Sequence, residues 1–174
     1  MTALAAAILC VALAQDLAVQ KVELAEGILE AARAEFKILP MESVTVRFTL
    51  AGLKTDEKGE KRIAFSYDVL DAEGQKILED IKGKAGGLDA LPVSPGLIWC
   101  TFRLPRGVKS PATLAVKIRD EVAGKEISKS VKLEVLPAAA AIVNARFTAD
   151  AQGETPRAPV YIVGELAVTH YDVV

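Results

Sequence analysis

Histidine and cysteine are nearly missing from this 174-residue chain, which has one His and two Cys. A structural zinc site needs four such ligands, and a Ser-His-Asp or Cys-His device needs a His held by a third group. Both classes are nearly excluded. The single His170 stands between Thr169 and Tyr171 and reads as a solvent-facing strand residue. Aromatic residues make up 5%, poor material for a sugar-stacking face. Charge of one sign is also missing. Lys plus Arg is 21 against 23 Asp plus Glu, so there is no electrostatic footprint for nucleic acid or an anionic membrane. No GxxxxGK[ST] or GxGxxG occurs, and GKAGG at 83–87 lacks the strand-loop-helix context of a phosphate cradle. The residues point to no cofactor. With 51% hydrophobic residues the chain has ample material for a core, which excludes disorder as its general state.

The longest apolar run is at the start, MTALAAAILCVALAQ, with no charge before Asp16. It is too short for a membrane span, which takes about 20 residues. It fits the apolar region of a secretory signal, with Ala12-Leu13-Ala14 as the small-x-small cleavage pattern, although no Lys or Arg precedes it. Residues 1–15 are therefore expected to be a signal peptide, and the product to be exported to the periplasm, cell surface or medium. No span is expected in the mature chain. Lipidation at Cys10 fits less well, because the bulky Leu9 precedes it. Cys100 is then the one mature thiol, reading as buried and inert in a strand.

From Asp16 to Leu136 the dominant period is two, the spacing of a half-buried strand. Val44, Val46, Phe48 and Leu50 alternate with Thr45, Arg47 and Thr49. Ile63, Phe65, Tyr67 and Val69 alternate with smaller or polar residues. Ile77 and Ile81 mark a shorter segment. Ile98, Cys100, Phe102 and Leu104 make an apolar face, as do Leu114, Val116 and Ile118, and then Val131, Leu133 and Val135. A weaker strand rests on Val22 and Leu24. Turn chemistry separates these seven: a polar loop at 54–61 (KTDEKGEK) that reads as a hairpin, DAEG at 71–74, glycine and proline at 83–96, prolines at 105 and 111, and DEVAGK at 120–125. Residues 28–36 (ILEAARAEF) contain strong helix formers, but a loop fits them better for the reason given next. The expected fold is all-β, an immunoglobulin-like antiparallel β-sandwich of about seven strands over residues 16–136. A small barrel is the alternative. Phe48, Phe65, Val116 and Leu133 are expected in the core.

After a connector at 137–141 the N-terminal pattern returns. A shift of 123 residues lays Val19–Leu24 on Ile142–Phe147 and Glu42–Ala51 on Glu165–Val174, with Phe48 on Tyr171, Leu50 on Val173 and Arg47 on His170. Residues 28–36 then fall on 151–159 (AQGETPRAP), whose two prolines cannot sit in a regular helix. Residues 137–174 are therefore expected to be a linker and the first strands of a truncated second repeat, the chain being a fragment of a longer protein. Two strands cannot close a sandwich, so the tail is expected to be poorly packed.

The acids offer little chemistry. Asp68, Asp71 and Glu73 lie at a strand end and its turn, and Asp120, Glu121 and Glu126 surround the last hairpin. Neither group supplies the six to eight converging oxygens of calcium, and both read as solvated turns. If Ile98, Cys100, Phe102 and Leu104 face the core, Trp99 and Arg103 share the outer face, where an exposed pair could meet a protein or a glycan. They are the candidate contact residues. The competing reading packs Trp99 under a loop or against a neighbouring domain.

The runs VTVRFTLAGL, IAFSYDVLDAEGQKIL and LAVKIRDEVAGKEISKSVKLEV, with the polar loop between the first two, resemble bacterial immunoglobulin-like β-sandwich repeats of secreted, planctomycete-type proteins. Leu114 stands where the usual tyrosine corner would place a Tyr. The resemblance implies a modular, non-catalytic role and transfers no functional residues. The expected function is a spacer, surface or partner-binding module. A carbohydrate-binding or other accessory module of a secreted enzyme is the alternative, its catalytic domain lying outside this chain.

Overall fold

The computed structural model describes residues 16–85, 96–137, 142–148 and 168–173. The proposed signal segment lies outside them, as do Tyr161 and Val163. Ten strands and no helix occur among the described residues: β1 (Ala18–Ala25), β2 (Lys37–Ile38), β3 (Ser43–Ala51), β4 (Ile63–Leu70), β5 (Lys76–Ala85), β6 (Leu97–Arg103), β7 (Ala112–Asp120), β8 (Lys125–Val135), β9 (Ile142–Thr148) and β10 (Val168–Val173). Each of the seven expected strands is present. The two-residue β2 is additional, and residues 28–36 form a loop, as the prolines at the shifted positions indicated.

β1, β3 and β6 form one sheet in the order β1-β3-β6, and the rest of the body forms a second, β2-β8-β7-β4-β5. All pairings are antiparallel except the short β2–β8 contact. The alternation in sequence becomes two facing apolar layers. Leu24, Val46, Phe48, Ile98 and Cys100 from the first sheet and Val69, Leu114, Val116, Ile118 and Leu133 from the second join one buried cluster. The Tyr67 hydroxyl spans the layers, donating to the Thr101 carbonyl at 2.8 Å, while its ring lies 6.4 Å from that of Phe102. Gly96 leads into β6 at φ 116°, and a side chain there would meet the Leu50 carbonyl at 2.9 Å.

Two sequence expectations are corrected. The loop at 54–61 is no hairpin. β3 pairs with β1 and β6 while β4 pairs with β5 and β7, so this segment crosses from one sheet to the other. Its turn is held locally, by Gly59 N–H to Asp56 O and by the Lys58 and Glu60 N–H groups to Asp56 Oδ1, while its first residue, Lys54, donates its N–H to Asp120 Oδ2 in the other sheet. Such a turn closes whichever strands it links. Phe65 lies on the inward row with Ile63, Tyr67 and Val69 but is only half-buried. Gly83 stands opposite Phe65 on β5 and adds no side chain over it.

The edges of the wide sheet are guarded against pairing with other chains. β5 carries two register shifts, and Asp80 in the left-handed region at φ 47° donates its N–H to Asp68 Oδ1 at 2.7 Å. β8 carries Lys125, Lys129 and Lys132, all exposed. β9 and β10 pair only with each other, as a separate antiparallel sheet.

Candidate functional site

The outer face of the three-stranded sheet is built in register rows: Lys21–Thr49–Leu97, Glu23–Arg47–Trp99, then Ala25–Thr45–Thr101, with Ser43 opposite Arg103 at the end. Trp99 therefore does share an outer face with Arg103, some 13 Å along β6 at the usual strand rise. Their environments differ. Trp99 is half-buried, whereas the Arg103 side chain is 45% exposed.

What occupies the middle of this face is the loop between β1 and β2. The Arg47 guanidinium donates to the carbonyls of Ile28 at 2.8 Å and Glu30 at 2.9 Å, and lies 3.7 Å from Glu23. Its Nε is buried without a partner. Arg33 fixes the same loop from its far end. Its N–H donates to Leu24 O, and its guanidinium reaches Lys37 O, Glu26 and Glu42. The hydrogen bond to the Glu42 carboxylate keeps the Arg33 guanidinium charged above its ordinary range. Glu42 also accepts the Leu39 N–H at 2.8 Å. Thr45, nominally outward, is 1% exposed. Trp99 thus stands in the row where this loop is anchored, and the open part of the face is its end, at Thr101 and Arg103.

Arg103 already has a partner within the chain. Its Nη2 lies 3.1 Å from Oδ2 of Asp172 in β10. Trp99 and Arg103 thus share a face but stand in different surroundings, Trp99 beside the anchored loop and Arg103 at the open end.

The acids that read as solvated turns divide into two kinds. Asp71 Oδ1 accepts the N–H groups of Glu73 and Gln75, Asp68 is engaged by Asp80 N–H and by Lys76 at 3.3 Å, and Glu73 meets Lys109 at 3.2 Å. These shape the β4–β5 turn. Asp120 is different and corrects the reading: it is fully buried. Oδ1 accepts the N–H groups of Val122 and Ala123 at 2.9 and 3.0 Å, and Oδ2 accepts that of Lys54 from the crossover at 2.9 Å. Burial disfavours its charge, but the three N–H donors outweigh burial and hold the carboxyl below the ordinary range. Sequence reasoning missed both residues: Asp120 reads as part of a turn although it continues the inward parity of Leu114, Val116 and Ile118, a signal that could have found it, whereas Arg47 stands on the outward parity, where polar side chains usually meet water.

Cys100 is buried and free, and burial pushes its thiol up to about 12. An open groove of about 470 Å³ lies over the β2–β8 contact, beside Phe36, Pro111 and Leu133. Its charged rim is mutually neutralised, with Lys37 2.8 Å from Glu35 and 3.9 Å from Glu134. Among the described residues no three His, Cys, Asp or Glu side chains converge as metal ligands. No helix among them is long and apolar enough to cross a membrane. No protein-family model matches the chain, and no curated protein matches it.

Proposed function

We propose that the chain is an exported, non-enzymatic module of tandem immunoglobulin-like sandwiches, serving as a spacer, surface or protein-binding element. The observation that carries the reading is a repeated register. At the 123-residue shift, Val19↔Leu50, Glu23↔Arg47, Leu24↔Val46 and Ala25↔Thr45 in β1–β3 correspond to Ile142↔Val173, Arg146↔His170, Phe147↔Thr169 and Thr148↔Val168 in β9–β10. Each pair also has one register shift that places an extra residue on its first strand. Strand register is set by which face must be buried, so the register shared at both ends of the two pairs supports one ancestral unit used twice, although beside the irregularity they differ, Thr49 facing Lys21 where Asp172 faces Val143. Tyr171, which falls on the fully buried Phe48, is itself 54% exposed.

The strand order supports the immunoglobulin-like description. Strands one, three and six form one sheet, and the last hairpin lies beside strands four and five in the other. Export rests on the apolar leader and its Ala-x-Ala site. The test has two arms. Mass spectrometry of the protein from its host should show an N-terminus at Gln15 or Asp16, and intact Met1 on a cytosolic protein would overturn export. Limited proteolysis should cut first between about residues 136 and 160 and leave a folded core. A tail as resistant as that core would overturn the tandem reading.

A further inference from the structure

We propose that the loop between β1 and β2 is a self-association surface, on which Leu29 of one copy of this chain enters the groove over the β2–β8 contact of a second copy, and reciprocally. The inference rests on the protein-binding reading above and names the partner. A single exposed leucine is ordinary, but Leu29 is held in place. It is 71% exposed, while the carbonyls on either side of it, at Ile28 and Glu30, both accept from Arg47 Nη1 at 2.8 and 2.9 Å. At the far end of the loop Arg33 donates its N–H to Leu24 O at 2.7 Å and its guanidinium to the Lys37 carbonyl at 3.2 Å. Ordering a flexible loop is part of what binding costs, and here folding has already met it.

The groove complements this knob. It has a volume of about 470 Å³ and lies at the end of the same loop, between Phe36 and Pro111. Three of its charged residues, Glu35, Lys37 and Glu134, neutralise one another. The fourth, Lys132, is exposed and has no ion pair among the described residues. Beside the knob, the exposed Glu30 side chain likewise has none. An apolar knob flanked by an unpaired acid thus matches a groove with apolar walls and an unpaired cation on its rim. The repeat supplies an independent observation. At the 123-residue shift Leu29 and Glu30 fall on Gln152 and Gly153, so the knob and its acid belong to the first unit and are not required by the repeated pattern.

The placement of the two features favours a closed pair. β1 and β2 are edge strands of the two sheets, and the loop that joins them carries the knob at residue 29 and one wall of the groove at residues 35–37. One side of the sandwich therefore gives and receives, which is the condition for a two-fold contact. The contact is made by side chains and leaves the guarded strand edges unpaired. Two such contacts make a small interface, so association should be weak, with a Kd of roughly 10 μM to 1 mM.

The experiment is sedimentation equilibrium of the full chain from about 10 μM to 1 mM. The unaltered chain should pass from monomer toward a plateau at twice the monomer mass. Leu29→Glu should remain monomeric. Glu30→Lys and Lys132→Glu should each weaken association about 2- to 30-fold, because an exposed ion pair is lost twice in a two-fold contact, and the double variant should restore it. All three side chains are exposed, so the variants should fold. A monomer throughout, growth beyond the dimer, association that ignores Leu29→Glu, or a double variant no tighter than the singles would each overturn the proposal. Export and the repeat are read by N-terminal mass and proteolysis, so a monomer here refutes this pairing and leaves those readings standing.

Discussion

Removing one carboxylate oxygen from Asp120 should destabilise the protein by about 2–3 kcal/mol at pH 7, and the loss should shrink as the solution is acidified. Asp120 ends β7, fully buried, and accepts three backbone N–H groups from two segments: Val122 and Ala123 in the β7–β8 turn and Lys54 in the crossover from the other sheet. A hydrogen bond to a charged group contributes about 1.5–3 kcal/mol, and an orphaned buried donor costs about 1–3. Val122 is half-buried, and Ala123 and Lys54 are exposed residues. Water can therefore reach part of the vacated N–H groups, which places the total well below three full bonds. In Asp120→Asn one oxygen still accepts, while the new NH₂ faces a donor. The sign with pH follows from the depressed carboxyl. Its contribution is complete above the unfolded value near 3.9 and is lost as pH falls through the lower folded value. Urea unfolding followed by fluorescence of Trp99, the single tryptophan, measures both forms at pH 7 and across the acid range below pH 4. Other carboxylates held low, among them Asp56 and Asp68, affect both proteins alike, so the difference isolates Asp120. A difference under 0.5 kcal/mol at pH 7, or one that does not shrink below pH 4, would refute the reasoning.

Phe48→Ala should cost about 3–5 kcal/mol in the same urea assay, the range for a fully buried aromatic, while half-buried Phe65→Ala should cost about 1–2; equal losses would contradict the difference in their burial. Cys100, with its thiol pushed up to about 12, should resist a disulfide reagent at pH 8 until the chain unfolds, and stoichiometric reaction of the native protein within minutes would show that the site opens. Tm should be the same in calcium and in chelator, because Asp71 and Asp120 already direct their oxygens at backbone N–H groups; a calcium-dependent rise of several degrees would overturn this use of the acids.

Much of the body was legible in local pattern. Alternation is a property of a single strand, so Val44 to Leu50 or Leu114 to Ile118 declare both their conformation and their inward side before any partner is known. The same parity placed Trp99 and Arg103 on one outer face, and the 123-residue shift marked where β9 and β10 would form. Composition alone narrowed the chemistry, since one His and two Cys leave few sites to build.

Which strand pairs with which was decided only in three dimensions. A polar loop such as residues 54–61 advertises that it meets solvent, and its Asp56 turn closes equally well between paired strands or across two sheets. Burial of polar residues was hidden for a related reason. Arg47 has the spacing of a solvated side chain and Asp120 the look of a turn acid at the end of an inward row, and each is engaged by a segment remote in sequence: Arg47 by the carbonyls of residues 28 and 30, Asp120 by Lys54 arriving from the other sheet. Tertiary structure also gave Arg103 a partner 69 residues further along the chain. Periodicity reports what a residue prefers to face, whereas enclosure depends on what the rest of the chain brings there.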